Sequence, residues 1–240
     1  MTTKLEDTPM TAAEQAKATE MEARFLETFT VVDDDDPRLT ATEAPELAEK
    51  LKKAGYPARH IKRQLEGLSG PSHAKARELW PMVQSGDAMI LLLGSRGPGK
   101  TQMATAWAAG RIKSGKSAGQ YVKCADLITE IKATWGSGRR GNSEQDVLQK
   151  FQKTSYLVID EFHEKGASDW EARVLVNIFD HRYDSMLVTV IIANMTEEEA
   201  EKQINPSIKS RAQETGGLIL CDWPSYRQNP QMKPTTQKPQ

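Results

Sequence analysis

The segment MILLLGSRGPGKT, residues 89–101, is the most informative part of this 240-residue chain for its fold class. Its first five residues form an apolar run, and residues 94–101 match the phosphate-binding pattern G-x-x-x-x-G-K-[S/T]. A helix-forming run follows, so the stretch predicts a strand, a loop and a helix, which is the setting this pattern requires. Gly97 and Gly99 let the backbone curl so that its N–H groups face phosphate oxygens, and the helix N-terminus adds positive potential.

Beyond this stretch, apolar strand-like runs alternate with helix-like segments. Strands are predicted at 88–94, 119–123, 155–160, 187–193 and 217–221. Helices are predicted between them at 100–113, 125–135, 143–153, 169–184 and 204–214. Crossovers of this length connect parallel strands through right-handed units. We therefore predict an α/β fold, a three-layer sandwich built on a five-stranded parallel sheet.

The composition is that of an ordinary folded protein. Hydrophobic residues make up 38% of the chain and charged residues 27%, which excludes collagen-like and wholly disordered proteins. The longest apolar runs, 88–93 and 187–193, are far shorter than the roughly 20 residues of a membrane-spanning helix. The first ten residues have no apolar signal core, so we expect a cytoplasmic location, in a bacterium or in the host of a phage. Cys124 and Cys221 have no zinc-motif spacing, and we expect both to be buried thiols.

Charge is distributed unevenly along the chain. Residues 1–50 contain 13 acidic and 5 basic residues, a net charge of −8; the whole chain has a net charge of −1, so the remainder carries +7. The basic part is the better candidate for contact with phosphate or nucleic acid. A charge of this size can equally serve solubility alone.

The N-terminal region is predicted to be helical. Thr11–Phe29 has an amphipathic pattern with Phe25 on its apolar face, and the acidic run Asp33–Asp36 follows as a linker. Further helices are predicted at 42–53 and from residue 58. The chain is thereby divided into an acidic helical N-terminal region and linker at 1–54, a core at 55–226 and a disordered tail at 227–240.

Acidic and polar residues follow two later strands. Asp160 and Glu161 end the third strand, and Asn194 follows the fourth. Because the carboxyl ends of parallel strands meet at the edge where ligands bind, Asp160 and the hydroxyl of Thr101 predict a Mg²⁺ site. Glu161 would polarise the attacking water, Lys100 would reach the β- and γ-phosphates, and Asn194 would contact the γ-phosphate or the water. Taken singly, Asp160 and Asn194 could be turn residues. The candidate nucleotide-binding residues are Gly94, Ser95, Arg96, Gly97, Pro98, Gly99, Lys100, Thr101 and Gln102.

With these motifs in this order, the chain resembles the AAA+ ATPases, and among them the DnaC-type replicative helicase loaders and their IstB-type relatives. The resemblance covers roughly residues 55–226. Besides GSRGPGKT, it is carried by ADL at 125–127, YLVIDE at 156–161, DHRY at 180–183, IANMT at 192–196, IKSR at 208–211 and WPSYR at 223–227.

The resemblance implies a P-loop NTPase sandwich with strand order five-one-four-three-two that binds ATP and Mg²⁺ and hydrolyses ATP. It implies that Asn194 is the sensor-one residue and that Arg211 is an arginine finger for the nucleotide of a neighbouring subunit, which suits charge stabilisation in trans. An ordinary solvated arginine is the alternative for Arg211, and Arg182 is the reserve candidate for a phosphate-sensing or interface arginine. We expect no helical lid after Arg211, because too few residues follow it, and in this shortness the chain resembles the loaders.

The resemblance also implies partners: a hexameric replicative helicase, single-stranded DNA, and a second copy of the chain through the ATP site. We expect residues 1–40 to bind the helicase with Phe25 and Phe29 as apolar anchors, or alternatively to pack on the core. Trp135–Gly141, which has two arginines beside an aromatic residue, is a candidate contact for single-stranded DNA or a surface loop without a ligand.

Three functions are therefore open on sequence grounds. The first is an ATP-dependent loader that places a helicase on single-stranded DNA and uses hydrolysis as a switch. The second is an IstB-like transposition-helper ATPase that acts with a transposase on duplex DNA. The third is a nucleotide-gated adaptor that hydrolyses little ATP.

Overall fold

The computed structural model describes residues 43–66, 70–136, 143–162 and 168–226. Several predicted features lie outside these ranges: the helix at 11–29 with Phe25 and Phe29, the run Asp33–Asp36, the loop arginines Arg139 and Arg140, and the tail at 227–240. Among the helices inside these ranges, none is long and apolar enough to cross a membrane.

Helices precede an alternating α/β part. The first helices are α1 (Glu43–Lys53), α2 (Ala58–Leu65), α3 (Pro71–Glu78) and α4 (Trp80–Ser85). The alternating part consists of β1 (Met89–Leu93), α5 (Lys100–Lys113), β2 (Gln120–Lys123), α6 (Cys124–Lys132), a 3₁₀ turn (Ala133–Gly136), α7 (Glu144–Lys153), β3 (Tyr156–Asp160), α8 (Asp169–Asp184), β4 (Val188–Ile192), α9 (Glu197–Gln203), α10 (Pro206–Glu214) and β5 (Leu218–Leu220). The five predicted strands are confirmed to within two residues at each end.

The five strands form one parallel sheet in the order β2-β3-β4-β1-β5. Read from its other edge, this is the order that the resemblance implies, so that prediction is confirmed. β1 lies between β4 and β5, and β3 lies between β2 and β4. The register pairs Leu92 with Ile192 and Lys123 with Asp160. The carboxyl ends of β1, β3 and β4 therefore meet at one edge of the sheet.

Helices cover both faces of the sheet, as the three-layer prediction requires. Alternate strand residues such as Ile90 and Leu91 point to opposite faces, and each joins a different buried cluster. Helix α1, which precedes the predicted boundary at residue 54, contributes Leu47 and Leu51 to the same cluster as Trp107 of α5. Cys124 and Cys221 are buried thiols, as predicted.

The pattern of apolar residues does not predict three of the observed helices, namely α3, α4 and α9. Helix α9 has the sequence EEEAEKQ and buries only Ala200, so it has almost no apolar face to detect. A capping box starts it instead: the Thr196 hydroxyl accepts from the Glu199 N–H at 3.2 Å, and the Glu199 carboxylate accepts from the Thr196 N–H at 2.9 Å.

Candidate nucleotide site

The phosphate-binding loop connects β1 to α5 at the carboxyl edge of the sheet. Gly97 and Gly99 have φ values of 107° and 100°, a region that favours glycine. The Lys100 ammonium is buried and donates to the carbonyl oxygens of Gly94 and Ser95 at 2.7 and 2.6 Å. Burial lowers the pKa of Lys100. Because these partners are neutral carbonyls, the positive charge of the ammonium is available to an anion at the loop.

Residues 223–226 cover one side of this loop. The Trp223 indole donates to the Pro98 carbonyl oxygen at 2.6 Å, and the Tyr226 N–H donates to the Gly97 carbonyl oxygen at 3.1 Å. A Cβ on Gly97 would lie 2.0 Å from Ser225 Oγ, so this position has no room for a side chain. The chain after β5 thus holds the loop from outside, a role that motif spacing alone does not reveal.

Thr101 and Asp160 lie 59 positions apart in sequence but in contact in the fold. The Thr101 hydroxyl donates to Asp160 Oδ2 at 2.8 Å, and the Tyr121 hydroxyl donates to the same oxygen at 2.8 Å. The Glu161 N–H donates to Asp160 Oδ1 at 2.7 Å. Burial and the Asp160 charge raise the pKa of Tyr121 well above its usual value, so its hydroxyl stays a donor. A carboxylate beside a hydroxyl is a hard oxygen donor set that fits Mg²⁺.

Glu161 and Asn194 lie at the same edge of the sheet. Glu161 has a left-handed backbone, with φ at 55°, and its exposed carboxylate pairs with the Lys123 ammonium at 3.1 Å. This hydrogen bond and charge raise the pKa of Lys123. Half-buried Asn194 follows β4, and the next residue, Met195, accepts from the N–H of Gly94 at 2.9 Å. Asn194 is thus next to a residue that contacts the phosphate-binding loop, whereas the Glu161 carboxylate is turned towards β2.

The Gln102 side chain faces the N-terminal helices. Its amide oxygen lies 2.9 Å from His60 Nδ1, and its amide nitrogen donates to the His60 carbonyl oxygen at 3.1 Å. Its contribution to a phosphate site would therefore come from its main-chain N–H, one of those that the first turn of a helix leaves unpaired.

Arg211 lies on α10, away from the phosphate-binding loop of its own chain. Its guanidinium pairs with the Asp180 carboxylate and lies 4.9 Å from the centre of the Tyr183 ring. Thr215, one turn later, bonds to the backbone of Met89 at the start of β1. Arg211 therefore lies near the amino edge of the sheet, at the end opposite the phosphate-binding loop of its own chain.

The prediction of a phosphate-sensing or interface role for Arg182 is wrong. The side chain is fully buried, and burial lowers its pKa to about 9. Its guanidinium donates to the carbonyl oxygens of Phe151, Thr154 and Val188 at 2.9, 2.7 and 2.6 Å, and to the Thr189 hydroxyl at 2.8 Å. Arg182 ties the end of α7 to the start of β4 and has no exposed surface for a ligand.

A model of the family described as IstB-like ATP binding protein matches residues 78–207, which run from the end of α3 to the start of α10. The chain belongs to this family. The stated resemblance to the AAA+ ATPases of the DnaC type is thereby confirmed, and the candidate site lies on an ATP-binding domain.

Curated relatives include the replicative helicase loader DnaC of Escherichia coli (strain K12), which is 28% identical over 155 residues, 64% of this chain and 62% of that protein. The DnaC of Buchnera aphidicola subsp. Acyrthosiphon pisum is 29% identical over 142 residues, 59% of this chain and 57% of that protein. The matched part of this chain thus spans less than two thirds of the length of these relatives.

Solved structures with the same fold include AMPPCP-bound DnaA from Aquifex aeolicus, with a TM-score of 0.52, 17% identity, and coverage of 64% of this chain and 47% of that chain. Domain III of the Thermotoga maritima replication initiation protein DnaA has a TM-score of 0.51, 16% identity, and coverage of 68% and 67%. At such low identity, these likenesses establish the fold alone.

Proposed function

We propose that this protein is an ATP-dependent loader of a hexameric replicative helicase that helps to place the helicase on single-stranded DNA. The observation that carries the proposal is the contact of Thr101 with Asp160 at 2.8 Å beside the buried Lys100 ammonium. It joins a phosphate-binding loop to a metal-binding carboxylate in a chain whose relatives include helicase loaders. A cytoplasmic location accords with this function.

In this proposal, the residues of the chain bind, orient and polarise. The loop N–H groups and Lys100 would hold the phosphates of ATP, and Thr101 and Asp160 would hold the metal. Mg²⁺ held by Thr101 and Asp160 would supply charge neutralisation for the phosphates of ATP. The Glu161 carboxylate accepts a proton from the attacking water once it is free of Lys123, and Asn194 orients that water.

Arg211 would complete the site from a second copy of the chain. A guanidinium supplied in trans stabilises charge on the transferring phosphoryl group only after assembly. In the single chain, the Arg211 guanidinium pairs with the Asp180 carboxylate, and 21% of the Arg211 side chain is exposed to solvent. On assembly, the Arg211 guanidinium would therefore have to leave the Asp180 carboxylate and pair with a phosphate group of the neighbouring copy's ATP. We further propose that residues 1–40 contact the helicase.

The test is ATP hydrolysis by the full chain alone, with single-stranded DNA, and with the replicative helicase. We expect DNA or helicase to change turnover and Lys100→Ala to abolish it. Lys153→Ala is the matched control, because Lys153 is an exposed lysine at the end of α7. Glu161→Gln should lower turnover while nucleotide binding persists. Equal turnover in Lys100→Ala and the control would refute the site assignment.

A second candidate function is that of a transposition-helper ATPase, which the IstB-like family match favours. This function predicts that duplex DNA or a transposase changes turnover and that the helicase does not. A nucleotide-gated adaptor with little hydrolysis is a third candidate, favoured by the ion pair that engages Glu161 with Lys123. It predicts nucleotide-dependent capture of the partner, with turnover undiminished by Glu161→Gln.

A further inference from the structure

Tyr121 lies on β2, outside the motifs of the phosphate-binding loop and the acidic strand end. The register pairs it with Val158, two residues before Asp160, so Tyr121 and Asp160 are diagonal neighbours on one face of the sheet. Its side chain is 8% exposed. A tyrosine reaches across this diagonal, which explains how its hydroxyl comes within 2.8 Å of Asp160 Oδ2.

Among the residues that the structure describes, three groups donate to the Asp160 carboxylate. Thr101 is itself a candidate ligand of the metal, and its hydroxyl shares Oδ2 with that of Tyr121. The Glu161 N–H is a main-chain donor to Oδ1. Of these donors, Tyr121 is the one whose side chain is proposed neither as a metal ligand nor as a base. Partners of this kind fix the orientation of a metal-binding carboxylate.

The Tyr121 ring is itself held by the N-terminal helices. It lies 5.4 Å, centre to centre, from the ring of Tyr56, which stands between α1 and α2. The main-chain N–H of Tyr121 donates to the Ala54 carbonyl oxygen at 2.8 Å. The hydroxyl of Tyr56 donates elsewhere, to the Ala118 carbonyl oxygen at 3.3 Å.

We propose that Tyr121 is a positioning residue that holds the Asp160 carboxylate for Mg²⁺, with its ring fixed by Tyr56. The inference rests on the proposed function, because it deepens the role of the same metal site. It predicts that the Tyr121 hydroxyl strengthens Mg²⁺-dependent nucleotide binding and leaves metal-free binding unchanged.

The experiment compares Tyr121→Phe with Tyr56→Phe in the full chain. Each variant removes one buried hydroxyl from the same aromatic pair, but only Tyr121→Phe removes a donor to Asp160. The affinity for a fluorescent, slowly hydrolysed ATP analogue is measured in excess Mg²⁺ and in EDTA. The readout is the factor by which Mg²⁺ tightens binding. A general loss of stability would not change this factor selectively.

We expect Tyr121→Phe to reduce the Mg²⁺ factor by about 10-fold, the lower end of the effect of losing an outer-shell partner of a metal ligand. Its affinity in EDTA should match that of the unmodified chain, as should both values for Tyr56→Phe. An unchanged Mg²⁺ factor in Tyr121→Phe would overturn the inference and leave the proposed function standing. An equal reduction in Tyr56→Phe would also overturn it. If Mg²⁺ does not tighten binding to the unmodified chain, the proposed function falls with it.

Discussion

Replacing Arg182 with methionine should destabilise the fold without acting directly on the nucleotide site. Methionine keeps an apolar stem of similar length and removes the guanidinium. The change leaves the carbonyl oxygens of Phe151, Thr154 and Val188 without this buried donor. Each buried acceptor left unpaired costs about 1–3 kcal/mol.

Part of this cost is offset, because methionine carries no buried charge. That charge is costly in the native protein because burial removes it from water, and the same burial lowers the Arg182 pKa to about 9. We therefore expect a net loss of about 3 kcal/mol in the free energy of unfolding, because three acceptors lose their donor at about 1–3 kcal/mol each and removal of the buried charge offsets part of that cost. This is a large fraction of the roughly 5–15 kcal/mol that stabilises a typical domain.

The assay is urea unfolding followed by circular dichroism, with the free energy taken from the midpoint and slope. Arg173→Met is the matched control, because Arg173 is an exposed arginine on the same helix, α8. It should change the free energy of unfolding by less than about 0.5 kcal/mol. A change below about 1 kcal/mol in Arg182→Met, or loss of nucleotide binding at full stability, would refute the structural role of Arg182.

Three further predictions concern other parts of the molecule. Trp223→Phe removes the indole donor to Pro98 and should weaken nucleotide binding about 5-fold, as loss of about 1 kcal/mol implies; unchanged affinity in a fluorescence titration would contradict this. Burial, and secondarily Arg77, lowers the pKa of His73 to about 4 from 6.5. The stability that depends on neutral His73 is therefore complete above pH 6.5 and is lost as the pH falls towards 4, and His73→Gln should flatten that slope in thermal melts. Replacing Trp135, a residue that is 58% exposed, with alanine should lower the affinity for single-stranded DNA about 10-fold, since stacking on one base contributes about 1–3 kcal/mol; equal affinities of the two proteins in anisotropy titrations would exclude this contact.

The boundaries of β1 and α5 follow from local sequence. Five consecutive apolar residues form a strand that is buried on both faces. The motif GSRGPGKT that follows is specific for a loop that leads into a helix. Asp160 and Asn194 are placed at the ligand edge for the same reason, because any residue that ends a parallel strand lies there. The strand order itself came from the resemblance to a family.

Helix α9 shows where such local patterns fail. Its stability comes from a capping box and acidic residues in its first turn rather than from apolar periodicity. Tyr121 could have been singled out only with the register of β2 against β3, because its hydroxyl meets Asp160 across two strands. The hydrogen bond from the Trp223 indole to Pro98 of the phosphate-binding loop likewise joins residues 125 positions apart.

The two arginines of the DHRY and IKSR segments separate what sequence determines from what only the fold decides. An α/β chain with a nucleotide loop, an acidic strand end and a polar residue after a later strand can be predicted from sequence, because each feature depends on a short contiguous segment. The sequence could not distinguish Arg182 from Arg211, since both occur in polar helical segments. Tertiary packing decided the difference: Arg182 is fully buried against main-chain carbonyls, whereas Arg211 stays partly exposed beside Asp180. A guanidinium can contact a ligand only where the fold leaves it exposed at the surface.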